Sequence, residues 1–301
     1  MSDFASIDVA GKRVLVREDL NVPLDGGTVT DLTRIDAAVP TIRSLSERGA
    51  KVIVMSHLGR PNGAVVESLR MAPVAKALSA QLGFDVKTAP DCVGPQAQAA
   101  VDALRDGDVL LLENLRFHKE EEAGDDAFAR SLASLGDIYV NDAFGTAHRA
   151  HASTSVIAKY LPAYMGPLMA RELEMLDSIL ENPKRPFVAV LGGAKVSDKI
   201  EVIDRLMSIC DCVVVGGGMA NTLLAAEGRP IGKSLCDKDL GPALGVLDGI
   251  KHHKFKAKLH VPKDAIVAKQ LAADVDTEDV KIADVKPDDM ILDIGAGTAM
   301  D

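Results

Sequence analysis

The residues best suited to holding a small anion stand along the first half of the chain, each directly after a short apolar run. REDLNVP brings Asp19 and Asn21 after the run at 14–16, and SHLGRP brings His57, Gly59 and Arg60 after 52–55. ENLRFH brings Arg116 after 109–112, NDAFGTAHRAH brings Arg149 after 138–140, and Arg34 precedes the first long helical pattern. The planar guanidinium fork makes paired, charge-assisted bonds to phosphate or carboxylate. One such arginine reads as a surface ion pair; several placed after successive strands point to a small anionic substrate. No Ser/His/Asp or Cys/His nucleophilic set is present. His148 and His151 stand three apart without a strong ligand set nearby, so local hydrogen bonding is expected of them rather than a metal.

The second half carries a different signature. GGAKVSDKI places Gly192, Gly193, Lys195 and Lys199 at a strand–loop–helix junction, and VVGGGMANTLL follows the next apolar run with glycines at 216–218. Backbone N–H groups, a helix dipole and lysine charge suit such a junction to phosphate, and glycines admit a ligand close to the backbone. The spacing is not that of a Walker loop. Each glycine group alone reads as a tight turn; two in adjacent units favour a nucleotide.

The elements that must position these residues follow from the hydrophobic pattern. Strands are expected at 14–16, 52–55, 109–112, 138–140, 187–191, 212–215, 258–261 and 290–294, as continuous apolar runs of the kind parallel strands buried on both faces require. Helical patterns lie between them, such as Ile35, Ala38, Val39, Ile42, Leu45 and Val202, Leu206, Ile209. Pro40 is tolerable if the first of these begins near Asp36. The alternation predicts an α/β fold of two doubly wound, Rossmann-like parallel-sheet domains. A turn-rich break, LPAYMGP at 161–167, precedes a helix pattern ending at Asn182 and Pro183. The expected boundaries are 1–167, an interdomain helix at 168–182, and 183–301, the second domain incomplete. Thr298 to Asp301 has capping-box spacing, which announces a helix where the sequence stops, so a truncated chain is expected.

Composition narrows the class. The chain has 301 residues, 47% hydrophobic and 26% charged, with a formal net charge of −10. That balance argues against general binding to nucleic acid or an anionic membrane. MSDFASIDVAGK lacks the basic start and apolar core of a signal peptide. The longest apolar run, 212–226, is interrupted by three glycines, Asn221 and Thr222. Cys92, Cys210, Cys212 and Cys236 form no CxxC pair, and Cys210 and Cys212, flanking the start of an apolar strand, are expected as buried thiols rather than metal ligands. A cytoplasmic monomer is the expectation.

RVLVREDLNVP, MSHLGRP, LENLRFHKEEE, VNDAFGTAHRAHAST, GPLMARELEML, LGGAKVSDKIEVIDRL and VVVGGGMANTLL resemble, in order, the successive motifs of the phosphoglycerate kinases. The resemblance implies that the first domain binds 3-phosphoglycerate or 1,3-bisphosphoglycerate and the second ADP or ATP, with Mg on the nucleotide. Asp19, Leu20, Asn21, Arg34, His57, Leu58, Gly59, Arg60, Arg116 and Arg149 fall on the family's substrate positions. Gly193, Lys195, Lys199 and Gly217 fall on its nucleotide side, with Arg34 and Lys195 as the catalytic candidates. Domain closure about the helix after Pro167 is expected to bring the substrates together. Glu18 occupies a position often small or apolar in relatives. The family's WNGP segment, a ribose-binding glutamate and a GGGDT loop with the protein's magnesium-linked aspartate do not occur in the sequence, so little or no kinase activity is expected of the chain ending at Asp301. Two rival readings are a module that only binds phosphoglycerate and, from ILDIGAGTA, a Rossmann-type methyltransferase, in which Met300 stands where the full glycine motif has glycine.

Overall fold

The computed structural model describes residues 4–181 and 183–300. Two compact units divide the chain, Met1–Leu176 and Asp177–Asp301.

In the first unit, β1 (Arg13–Arg17) is followed by a small hairpin of β2 (Leu24–Asp25) and β3 (Thr28–Val29), then α1 (Thr33–Glu47) and β4 (Lys51–Met55). Next come α2 (Ala72–Leu82), β5 (Val86–Thr88), α3 (Gly94–Asp102), β6 (Val109–Leu111), α4 (Lys119–Ala123), α5 (Asp126–Ala133), β7 (Ile138–Asn141) and β8 (Ala163–Met165). The helix α6 (Pro167–Glu181) begins here, and the division between units falls within it. Six strands form one parallel sheet in the order β5-β6-β4-β1-β7-β8.

Side chains alternate across a strand, so successive residues of one apolar run enter two different cores. Val14, Val16, Val52 and Val54 pack with Ile35, Ile42, Leu45, Val74 and Leu78 of α1 and α2. Leu15, Ile53 and Met55 pack on the other face with Val101 of α3 and Phe128 and Leu132 of α5. This explains why the strands read as unbroken apolar runs. The chain moves from β1 outward through β4, β5 and β6, then returns to place β7 on the far side of β1. That reversal is a topological switch point, where open α/β sheets hold ligands beyond the strand ends.

The helix α1 begins earlier than Pro40 would suggest, so the proline lies well inside it, on its exposed side. An interior proline costs about 3 kcal/mol. Burial of Ile35, Ile42 and Leu45, at about 1.5–3 kcal/mol each, outweighs that.

In the second unit, β9 (Val188–Leu191), α7 (Ile200–Ile209), β10 (Cys212–Val215), α8 (Gly217–Ala226), α9 (Gly241–Lys251) and β11 (Lys258–His260) build a parallel sheet in the order β11-β10-β9. A second, antiparallel sheet follows, from β12 (Asp264–Ala268), β13 (Glu278–Lys281) and β14 (Met290–Ile294), then the short α10 (Ala296–Ala299). The run at 290–294 is therefore a strand, as its composition predicts, but it pairs antiparallel with β12 rather than extending the parallel sheet. In α7 the buried stripe is Ile203 and Met207, with Leu206 and Ile209 partly covered, while Val202 is 50% exposed. Two adjacent stripes satisfy the same helical period, and packing selected the neighbouring one. Thr298 lies inside α10 rather than capping a later helix; Gly295 holds the N-cap position, and Asp301 lies outside the described residues. Among the described residues, no helix is long and apolar enough to cross a membrane.

Candidate active site

The loops after β1, β4, β6 and β7 carry the residues that the sequence singled out, and hydrogen bonds tie several of them to one another. Ser56 Oγ accepts from Leu20 N–H (2.9 Å) and donates to the Glu18 carbonyl (2.8 Å), locking the β1 and β4 loops together. Asn21 Oδ1 accepts from Gly59 N–H (2.8 Å), and the Gly59 carbonyl accepts from Arg116 Nη1 (3.0 Å). Gly59 has φ +63°, and a Cβ there would stand 2.8 Å from the Leu69 side chain. Asn114 holds Leu58 through both its backbone N–H (3.2 Å) and its carbonyl (2.8 Å). Leu20 and Leu58 are themselves buried, so they serve the loops through their backbone groups.

At the centre lies His57, buried and uncharged. Burial, then the charges of Arg17, Arg116, Arg34 and Arg149, lower its pKa to about 2. Arg34, exposed, pairs with Asp19 across the mouth of the site. Arg116 is buried and pairs with Glu122 (3.2 Å). Arg149 is exposed on the loop after β7, where its carbonyl accepts from Thr154 Oγ1 (2.7 Å). Arg60 is also exposed but does not figure among the charges acting on His57.

Sequence reading missed Arg17. It closes β1 as the last letter of RVLVR, and a charged residue at the end of an apolar run reads as a strand boundary. In the structure it is buried, with Nε donating to Ser153 Oγ (2.9 Å) and Nη2 lying 3.1 Å from His57 Nδ1. Ser153 Oγ in turn donates to Glu121 Oε1 (2.6 Å), so the buried guanidinium answers a buried carboxylate through one hydroxyl. Burial lowers the neighbouring His151.

A cavity of 210 Å³ opens at the switch point, lined in part by Glu18, Asp19, Arg34, Asp142, Phe144 and Gly145. Asp142 is fully buried and accepts from Thr41 Oγ1 and from Met169 N–H (3.0 Å), fastening the start of α6 to the end of β7. Glu18 is buried with its Oε1 unpartnered. Burial first, then the Asp142 charge, pushes its carboxyl well above the usual carboxylate range.

In the second unit the two glycine loops lie side by side. The Gly193 carbonyl accepts from Met219 N–H (2.9 Å), and Lys199 Nζ donates to the Gly192 carbonyl (3.0 Å). Lys195 is exposed. Gly217 has φ +65°, and a Cβ on Gly218 would lie 2.8 Å from the Ala194 carbonyl oxygen. A cavity of 330 Å³ is bounded by Gly216, Gly217 and Gly218 on one side and by Leu235, Leu271, Met290 and Ile291 on the other. It combines an apolar wall with the start of a ten-residue helix, α8. The apolar wall was not legible beforehand, because it comes from the antiparallel sheet and its flanking loops.

A sequence profile described as Phosphoglycerate kinase matches residues 4–301. The chain belongs to the phosphoglycerate kinase family. It is 54% identical over 293 residues to the phosphoglycerate kinase of Moorella thermoacetica, a match covering 97% of this chain and 74% of that protein. The phosphoglycerate kinase of Caulobacter vibrioides is 50% identical over 297 residues, with the same coverage of both chains. The structure of phosphoglycerate kinase from Coxiella burnetii superposes with a TM-score of 0.83 at 39% identity, covering 99% of this chain and 75% of that one. That from Pyrococcus horikoshii gives 0.76 at 31%, covering 100% and 76%.

The methyltransferase reading of ILDIGAGTA does not survive the geometry. In this member of the family the glycine turn follows an antiparallel strand. Its backbone donors are also taken: Ala296 N–H by Asp279 (2.9 Å), and Gly297 and Thr298 N–H by the two oxygens of Asp264 (2.8 Å each).

Proposed function

We propose that the chain performs the family's reaction, reversible phosphoryl transfer from 1,3-bisphosphoglycerate to ADP, giving 3-phosphoglycerate and ATP, with its binding divided between the two units. In this reading the loops of the first unit hold phosphoglycerate: Arg116, Arg149 and Arg60 meet its anionic groups, Asp19 and Asn21 its hydroxyl, and Arg34 faces the transferring phosphoryl. The glycine loops of the second unit hold the nucleotide, with Lys199 and Lys195 on its phosphates and the apolar cavity beside Gly217 receiving the base. The nucleotide enters as its magnesium complex, so the metal arrives as part of the substrate. The same reading makes the chain a cytoplasmic monomer without nucleic-acid or membrane partners, in keeping with its net charge of −10.

The observation that carries this reading is the buried contact of Arg17 Nη2 with His57 Nδ1 at 3.1 Å, at a histidine whose pKa is lowered by burial and then by the charges of Arg17, Arg116, Arg34 and Arg149. Arg17 can only donate, so His57 Nδ1 accepts from it and the ring proton sits on Nε2. His57 is thereby a hydrogen-bond donor and is unsuited to act as a base. A carboxylate acceptor needs no base, because it is already ionised at neutral pH. What remains is to align the reactants and offset the negative charge spread over the transferring oxygens, the task of arginine and lysine donors. Calorimetry tests the division. One equivalent of 3-phosphoglycerate is expected to bind whether or not ADP is present, and failure to bind it at all would sink the assignment of the first unit.

A further inference from the structure

We propose that Asp91, Cys92 and His118 form a binding site for a borderline divalent cation of the zinc type, separate from the magnesium that accompanies the nucleotide. Asp91 and Cys92 lie between β5 and α3, and His118 follows the turn after β6. One oxygen, one sulfur and one imidazole nitrogen from these side chains all lie within 4.8 Å of one another. Among the described residues no other group of three such side chains converges in this way.

The donor set determines the class of ion. Thiolate and imidazole suit zinc-type metals, whereas magnesium takes oxygen ligands in near-octahedral geometry. Three protein ligands leave a fourth tetrahedral position for water. The ring of His118 is already oriented, with Nε2 2.7 Å from Asp91 Oδ1 and its face 5.2 Å from the Phe128 ring. That hydrogen bond pairs the histidine with the aspartate, and the Cys92 sulfur lies beside both. Cys92 is buried, whereas Asp91 and His118 are partly exposed, so an ion has a route in from solvent.

The test uses the whole chain, stripped with a chelator and titrated with Zn²⁺ by calorimetry and with Co²⁺ by absorbance. One equivalent is expected to bind, with a thiolate-to-cobalt charge-transfer band that excess Mg²⁺ leaves in place. Cys92→Ala is expected to abolish the band, and His118→Gln to weaken binding by at least ~10-fold. Because Cys92 is a core residue, His118→Gln, at a partly exposed position, decides the matter with the same readouts if the alanine variant fails to fold. No metal uptake by the unaltered chain, or uptake unchanged in the folded variants, overturns the proposal.

Discussion

Arg17 Nη2 lies 3.1 Å from His57 Nδ1, with both side chains buried. A guanidinium has no lone pair to offer, so the contact makes Nδ1 the acceptor and leaves the ring proton on Nε2. In the proposed reading, one buried arginine thus sets which atom of the histidine would face a substrate.

Arg17 also donates through Nη1 to the Glu18 carbonyl, and replacing it by Lys retains the charge but cannot serve Ser153, that carbonyl and His57 from one rigid fork. The expected outcome is roughly tenfold weaker 3-phosphoglycerate binding, worth about 1.4 kcal/mol. Ring nitrogen shifts of His57 should also move from the pure Nε2–H form toward a tautomer mixture. Unchanged shifts would show that Arg17 acts only through bulk charge.

Two buried groups should give stability a plateau in pH. His57 has its pKa depressed from 6.5 to about 2, so below 6.5 the unfolded chain takes a proton that the folded chain refuses, and stability falls as pH drops. Glu18 is the opposite case. Its pKa is raised well above 4.5, so above 4.5 the unfolded chain releases a proton that the folded chain keeps, and stability falls as pH rises toward the folded pKa. Each slope is about 1.4 kcal/mol per pH unit. Between 4.5 and 6.5 they cancel. Urea melts should find the steeper alkaline loss removed by Glu18→Gln, and Glu18→Leu more stable at pH 8 by about 1–3 kcal/mol because the unpartnered Oε1 is gone. A Leu variant weaker than the native chain at pH 8 would mean that Glu18 has a partner in solution.

Arg149→Lys keeps one positive charge on an exposed loop and loses the paired donor geometry. Phosphoglycerate affinity should fall roughly tenfold, about 1.4 kcal/mol, with thermal stability unchanged. Equal affinity in the two proteins would remove Arg149 from the substrate contacts.

On the nucleotide side, Lys199→Ala should weaken ADP binding and leave 3-phosphoglycerate affinity alone. Gly218→Val should do the same by a different route, since any side chain there drives into the Ala194 carbonyl and displaces the Gly193 loop. A parallel loss of phosphoglycerate binding in a folded variant would contradict the division between units.

Much of the placement was legible in the residues themselves. REDLNVP, SHLGRP, ENLRFH and NDAFGTAHRAH announce their loops because a parallel strand must be apolar throughout, so the first polar residues after each run mark the strand's carboxyl end. Local composition therefore determined that arginines, a histidine and two glycine groups would stand at strand ends. It could not determine which end residues turn inward. Arg17 and Arg60 look alike in sequence, yet one is buried against His57 and the other is exposed.

The second unit shows the same division. Glycine spacing marked the loops at 192–193 and 216–218, but β12 went unrecognised, and with it the antiparallel pairing that captures β14 and supplies the apolar wall. Val202 and Ile203 satisfy one helical period equally well, and only contact with Val213 and Leu223 in the same core decides which is buried. Periodicity and composition are properties of neighbours in the chain, so the sequence by itself determined elements and their ends. Strand partners, the buried stripe of a helix, the tautomer of His57 and the raised pKa of Glu18 depend on residues up to a hundred and more positions away. Only the tertiary structure brings those together, because burial and Coulomb interaction act through space.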